Sequence, residues 1–287
     1  MIARAGKKPP HRRRRPAARR RGLAGVFVTG TDTAVGKTWV SLGLMAALKT
    51  QGRVVVGMKP VSAGCEATPA GLRNADATAL MAQSSVALPY ELVNPVAFEP
   101  PIAPHIAAAD AGTRIDLRRI ERAYAKLIRS SDVCVVEGAG GWLVPMGPRS
   151  SLADLAARLA LPVILVVGIR LGCLNHALLT VESIERRGLP LAGWVANVLV
   201  DGSARPDANV AALEARIAAP LLARVAYTSR PEIAHFSAAF GGTQARDFLC
   251  TLGSTPCGAD RVSLESSAPS SAYRLGTAGE NCGPASP

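Results

Sequence analysis

The segment Gly25-Val-Phe-Val-Thr-Gly-Thr-Asp-Thr-Ala-Val-Gly-Lys-Thr38 constrains the fold of this chain more than any other. An apolar strand runs into a Gly/Thr loop ending in Gly36-Lys37-Thr38, and the helix-forming run Trp39 to Lys49 follows. That order of strand, loop and helix is the context a phosphate-binding loop requires. Backbone N–H groups of the loop, through Thr33, Ala34, Val35 and Gly36, and the N-terminus of the helix surround the phosphates. Lys37 reaches the β and γ oxygens, and the Thr38 hydroxyl is a Mg²⁺ ligand of the usual type. The chemistry therefore starts from a nucleoside triphosphate. The spacing is irregular: five residues rather than four separate Gly30 from Gly36, and Thr31 takes the usual first-glycine place.

From residue 25 to 226 short apolar runs alternate with helix-like segments, which predicts a doubly wound α/β fold, a mainly parallel sheet with helices on both faces. The predicted strands are 25–29, 53–58, 132–136, 162–167, 191–196 and 221–225. The predicted helices are 37–50, 74–83, 116–130, 151–160, 174–187 and 207–217. Val163-Ile-Leu-Val-Val167 is apolar throughout, as a central strand covered on both faces should be. Ligands in such a sheet sit beyond the carboxyl ends of the strands.

The formal charge of +12 suggests nucleic acid until it is located. Residues 1–22 hold ten of the 33 Lys and Arg and no Asp or Glu, leaving 23 bases against 21 acids in the rest. The arm 1–22 is too polar and proline-interrupted to fold alone and is expected to be disordered, with a nucleic-acid contact as a less favoured role. It lacks the apolar segment of a secretory signal, and no run in the chain approaches a membrane span. The six cysteines form no C-x-x-C pair, which argues against a zinc or iron–sulfur site and for a reducing, cytoplasmic setting. The body of the protein is expected over 23–230. Residues 231–287 are expected to be an atypical disordered tail, with 241–287 dispensable for activity.

Three further positions carry possible chemistry. Ser131-Asp-Val-Cys-Val-Val-Glu-Gly-Ala-Gly-Gly141 delivers Glu137 to a strand end and turns through Gly138, Ala139, Gly140 and Gly141. Glu137 is either an acidic Mg²⁺ partner or a solvated acid at a tight turn, and the phosphate loop favours the first. Lys59, in Met58-Lys-Pro-Val-Ser-Ala63, either offsets charge on a transferring phosphoryl group or is an ordinary surface lysine. Asp76 either complements the dipole of a helix start or is a second metal-directed carboxylate. His105 has neither a second His nor a nucleophile nearby, and a structural role is expected.

Taken together, the phosphate loop, Lys59-Pro-Val, Asn94-Pro-Val-Ala-Phe-Glu-Pro-Pro-Ile-Ala-Pro-His105, Glu137-Gly-Ala-Gly-Gly-Trp-Leu-Val-Pro145, the run Pro162 to Ala177 and Leu191-Ala-Gly-Trp-Val-Ala-Asn197 closely resemble the dethiobiotin synthetase family from about residue 25 to about 228. The resemblance implies ATP- and Mg²⁺-dependent closure of a ureido ring on 7,8-diaminononanoate with CO₂, through a carbamate and a carbamic-phosphoric anhydride, in a homodimer. It implies Lys37 and Lys59 as the catalytic cations and Thr38, Asp76 and Glu137 as metal positions. Asn197, with the loop Ala226, Tyr227 and Thr228, falls on base-contacting positions. Thr33, Lys59, Ala63, Gly140 and the helix start Gly172, Cys173, Leu174 and Asn175 fall on substrate-contacting ones, the last four receiving the substrate carboxylate across the dimer interface.

Ala34 stands where many members carry Glu, and Ala63 where a Ser is usual, with Ser62 beside it. Ala226-Tyr227 replaces the common Pro-Trp. Two other readings share the loop. One is another ATP-dependent amide-forming synthetase, such as a cobyrinate amidating enzyme. The other is a partitioning-type ATPase whose basic arm binds DNA, although Asp32 stands where those proteins usually carry an extra lysine.

Overall fold

The computed structural model describes residues 24–200 and 205–253. The expectations for residues 1–22 and for the tail beyond Gly253 lie outside the described residues. Six strands form one parallel sheet: β1 (Gly25–Gly30), β2 (Val55–Met58), β3 (Val133–Glu137), β4 (Val163–Ile169), β5 (Leu191–Val198) and β6 (Leu221–Val225), in the order β6-β5-β4-β1-β3-β2. The helices are α1 (Lys37–Thr50), α2 (Ala75–Gln83), α3 (Tyr90–Val93), α4 (Pro104–Asp110), α5 (Leu117–Leu127), α6 (Leu152–Leu159), α7 (Cys173–Arg186), α8 (Pro206–Glu214), α9 (Ile233–Ala239) and α10 (Thr243–Thr251). All six predicted strands and all six predicted helices are present, and the fold is the doubly wound α/β sheet.

The two-residue period of the strands decides which helix covers which face. Val26, Val28, Ile164 and Val166 point to one side and pack with Val40, Leu44 and Leu48 of α1 and Leu80 of α2. Phe27, Val136 and Val163 point to the other, against Ile120 and Leu127 of α5 and Leu152 and Leu155 of α6. Farther along that second face, Leu165, Val167 and Trp194 meet Val181 of α7 and Leu213 of α8. In α5 the buried residues Ile120, Ala123, Tyr124 and Leu127 follow the i, i+3, i+4, i+7 spacing of a helix stripe. Its start is fixed by Asp116, whose carboxylate accepts from the Arg118 N–H at 2.9 Å.

The stretch 231–253 corrects one expectation. It is not an unstructured tail: α9 and α10 cover the α1 face of the sheet, burying Phe236, Phe240, Phe248, Leu249 and Leu252. Phe236 stacks on Trp39 of α1 with centroids 5.7 Å apart. Gly43 makes room for it, since a Cβ there would stand 2.5 Å from the Phe236 Cβ. Deleting 241–287 would remove α10 and with it the buried Phe248 and Leu249, so the segment is not dispensable to the core. Phe236→Ala is expected to cost about 3–5 kcal/mol and to lower the melting temperature by roughly 10 °C. A thermal melt by circular dichroism checks this, and an unshifted midpoint would contradict the packing role.

Strand order reverses at β1: the chain first builds β2 and β3 on one side, then crosses to β4, β5 and β6 on the other. The crevice at the carboxyl end of β1 is where such sheets bind ligands, and the phosphate loop occupies it.

Candidate active site

The loop from Thr31 to Gly36 leaves β1 and enters α1 through Gly36, whose φ of 88° is left-handed. A side chain at Gly36 is excluded twice over, because its Cβ would also lie 2.3 Å from Asn197 Nδ2. Ala34 is left-handed too, with φ 57°, an uncommon state for a residue with a Cβ. Thr33 and Ala34 are exposed at the tip, whereas Val35 is buried. The Val35 carbonyl accepts from Asn197 Nδ2 at 3.0 Å, tying the loop to the end of β5.

Lys37 is buried at the start of α1, and its ammonium donates to the Asp32 carbonyl at 2.8 Å. Burial, aided by nearby Lys59 and opposed by Glu137, Asp76 and Asp32, pulls its pKa down to about 8. The site therefore presents a dehydrated cation at the loop.

The β2–β3 register, with Met58 opposite Val136, brings the next residues of both strands together. The Lys59 ammonium lies 2.6 Å from Glu137 Oε1 and 2.7 Å from Asp76 Oδ2. The Thr38 hydroxyl donates to the same Glu137 Oε1 at 2.9 Å. Lys59 is thus no surface lysine, and Asp76 lies in the first turn of α2 and faces the other charges of the cluster. Burial alone would lower the Lys59 pKa, but Glu137 and Asp76 outweigh it and hold it above the ordinary lysine value. Asp76 is held below the usual carboxylate range: burial would raise it, and Lys59 and Thr38 overcome that. Glu137 is 0% exposed, and full burial raises its pKa against the pull of Lys59.

Two carboxylates and a hydroxyl converging on one point suit Mg²⁺, a hard cation that takes a few protein oxygens and keeps phosphate and water for the rest. A cation already lies between the carboxylates, and Glu137 Oε2 is buried without a hydrogen-bond partner among the described residues. The residues present fit the ion. Among the described residues there is no cluster of three or more His, Cys, Asp or Glu able to hold a metal.

The second glycine turn flanks the phosphate loop. A Cβ on Gly140 (φ 64°) would lie 3.5 Å from Thr33 Oγ1, and one on Gly141 3.7 Å from the Gly30 carbonyl oxygen. Gly138 donates its N–H to the Val28 carbonyl at 2.9 Å, and Ala139 follows it, half-buried. The structure thus joins Thr33, Val35, Gly36, Lys37, Thr38, Lys59, Asp76, Glu137, Gly138, Gly140 and Asn197 by contact.

The remaining predicted positions stand farther out. Ala226, Tyr227 and Thr228 follow β6, whose Val225 pairs with Asn197, so they lie along the same sheet edge. His235 Nε2 on α9 lies 3.2 Å from the Ala226 carbonyl oxygen. Ala63 reaches the cluster only through its carbonyl, which accepts from Asn74 Nδ2 at 3.4 Å. Gly172, left-handed at φ 90°, starts α7, and Leu174 and Asn175 lie in its first turn. The Cys173 side chain is buried in the core, so only its backbone is available there. His105 is on α4 and takes no part in the cluster's contacts; its Nδ1 is buried without a partner among the described residues.

Two residues missed by the sequence reading belong here. Asp32 accepts from Thr33 N–H at 2.7 Å and pairs with Arg170 at 3.0 Å, linking the loop to the segment that precedes α7. Asp32 was visible as the residue standing in place of a lysine, but nothing local points to Arg170.

A family profile described as an AAA domain matches residues 24–231. The ATP-dependent dethiobiotin synthetase of Pseudomonas paraeruginosa is 52% identical over 200 residues, covering 69% of this chain and 88% of that protein. The enzyme of the same name from Cellvibrio japonicus is 54% identical over 196 residues, 68% of this chain and 86% of that one. Among solved structures, the MinC:MinD cell division complex of Aquifex aeolicus matches with a TM-score of 0.46 at 13% identity, covering 84% of this chain and 98% of that chain.

Proposed function

The chain belongs to the family of ATP-dependent dethiobiotin synthetases, ligases of biotin biosynthesis, and from that premise we propose that it closes the ureido ring of dethiobiotin from 7,8-diaminononanoate, CO₂ and ATP. One substrate amine takes up CO₂ as a carbamate. A carbamate oxygen bonds to the γ-phosphorus as the bond to ADP breaks, giving a carbamic-phosphoric anhydride. The second amine then attacks the carbonyl carbon, phosphate leaves with the bonding pair, and the amine loses a proton.

The observation that carries this reading is the pair of buried cations, Lys37 and Lys59, at the carboxyl edge of the sheet. Bringing a carbamate to a γ-phosphate sets anion against anion, and fixed cations in a dry site are what such an encounter needs. Lys37 would meet the β and γ oxygens and Lys59 the oxygens where carbamate and phosphate join. Thr38, Asp76 and Glu137 would hold Mg²⁺, which would supply positive charge to offset that of the phosphates. The N–H groups of Gly36 and Gly140 would line the phosphates. Asn197 gives one Nδ2–H to Val35, so contact with the base would fall to its Oδ1, its second Nδ2–H and the loop Ala226, Tyr227 and Thr228.

Gly172 to Asn175 would receive the substrate carboxylate at the N-terminus of α7, from a second copy of the chain. Leu171, 97% exposed, and Leu179, 57% exposed, set apolar surface beside that helix start and support its burial in a homodimer. Among the described residues Cys65, Cys134 and Cys173 are free thiols, which fits a cytoplasmic enzyme. No helix among the described residues is long and apolar enough to cross a membrane.

The test is incubation with 7,8-diaminononanoate, bicarbonate, Mg²⁺ and ATP, with mass spectrometry of the products. Dethiobiotin and ADP in equal amounts are expected. ADP without dethiobiotin, stimulated by DNA, would support the partitioning-type ATPase instead.

A further inference from the structure

Lys59 and Asp76 come from different elements, and one side chain joins the two. Asn94 follows α3 and is 4% exposed. Its Nδ2 donates to the Lys59 carbonyl at 2.7 Å and to the Val96 carbonyl at 3.3 Å. Its Oδ1 accepts from the Ser62 hydroxyl at 2.8 Å and from the Tyr90 hydroxyl at 3.1 Å. The Tyr90 oxygen in turn accepts the Asn74 N–H at 2.7 Å, and Asn74 is the residue that caps α2, accepting from the Ala77 N–H. The Arg73 guanidinium lies over the Tyr90 ring, 4.1 Å from its centroid. The Lys59 N–H also donates to the Val93 carbonyl at 2.8 Å.

From this arrangement we propose that Asn94 is a positioning residue, which through Tyr90 fixes the Lys59 backbone relative to the α2 start that carries Asp76. The proposal rests on the site roles of Lys59 and Asp76 given above. Only an amide serves at this position. Two donors are needed for the Lys59 and Val96 carbonyls, and an oxygen with two free lone pairs for Ser62 and Tyr90. Asp would set a carboxylate against two carbonyl oxygens, and Leu would take one hydrogen bond from each of the four partners in a buried place. A chain of fully paired polar groups of this kind fixes one arrangement of the segments it joins. Asn94 itself contacts neither Asp76 nor Glu137 and acts through the backbone.

The test compares the full-length chain with Tyr90→Phe and Asn94→Asp. Tyr90→Phe keeps the ring under Arg73 and the Asn94 bond to Lys59, and removes only the link to α2, so it carries the test if Asn94→Asp does not fold. Two quantities are read: kcat and KM for ATP in dethiobiotin formation, and the water-exchange rate of the Lys59 ammonium protons by nitrogen-15 NMR, with the signal assigned by its loss in Lys59→Arg. A loosened site is expected to lower kcat about tenfold in Tyr90→Phe and about a hundredfold in Asn94→Asp. KM for ATP should stay within about twofold, since the phosphate loop is untouched. The ammonium protons should exchange faster in both variants. Unchanged ammonium exchange in folded Tyr90→Phe overturns the positioning role, whatever happens to kcat. A wild-type chain that makes no dethiobiotin defeats the proposed function alone, because the exchange measurement still decides the positioning role.

Discussion

Lys37→Met is expected to lower the rate of dethiobiotin formation by on the order of a thousandfold while the protein melts at or above the wild-type temperature. The two halves of this result have one cause. The ammonium is buried, and both burial and Lys59 oppose its charge. Its partner among the described residues is the Asp32 carbonyl, a weaker acceptor than a carboxylate. The fold thus holds a cation that burial disfavours, which makes physical sense where an incoming anion supplies the missing partner. Met fills the same volume without the charge. Single-turnover assays with saturating ATP and a calorimetric melt test both halves. Activity above a tenth of wild type would remove Lys37 from the chemistry.

Glu137→Leu should have a large effect on stability. Lys59 and Glu137 are both buried, and removing the carboxylate leaves the ammonium with the partly exposed Asp76 and a distant Gly138 carbonyl. Breaking a buried pair from one side costs about 3–5 kcal/mol, or roughly 10 °C in melting temperature for a domain of this size. Replacing both partners is a different experiment. Lys59→Met with Glu137→Leu exchanges an ion pair for apolar side chains of similar volume and should regain most of the lost stability, to within about 1 kcal/mol of wild type. Neither variant should make dethiobiotin. The order of melting temperatures is decisive: a single variant as stable as wild type, or a double variant no better than the single, would mean that the pair does not carry the charge balance of the site.

The sequence disclosed some of this architecture and hid the rest for identifiable reasons. The strand-loop-helix at Gly25 to Thr50 was readable because all of its determinants are neighbours in the chain: an apolar run, a glycine where φ must be positive, and a helix-forming run. The continuous apolar runs of β3 and β4 were readable for the same reason. Lys59 read in isolation as one more solvated lysine, because what makes it otherwise is a residue 78 positions away. Helices α9 and α10 escaped because Gly241-Gly242 divides them and small polar residues dilute their apolar stripe; their phenylalanines become a pattern only against Gly43 and Trp39 of α1. Asn94 stood in a motif read as part of the family resemblance, yet its role depends on four partners brought together from Lys59, Ser62, Tyr90 and Val96.

By itself, then, the sequence determined the phosphate loop, the alternation of strands and helices, and the types of residue available at each strand end. These follow from local dihedral preferences and from hydrophobic periods of 2 and 3.6, which act between residues close along the chain. The tertiary structure alone decided that Lys59 lies between Asp76 and Glu137, that α9 and α10 complete the core, and that Asn94 links β2 to α2. Electrostatic and hydrogen-bonding energies depend on distance in space, and that distance is fixed by which strands pair and in what register. The alignment of Met58 with Val136 sets it here, and no local pattern in the chain encodes that alignment.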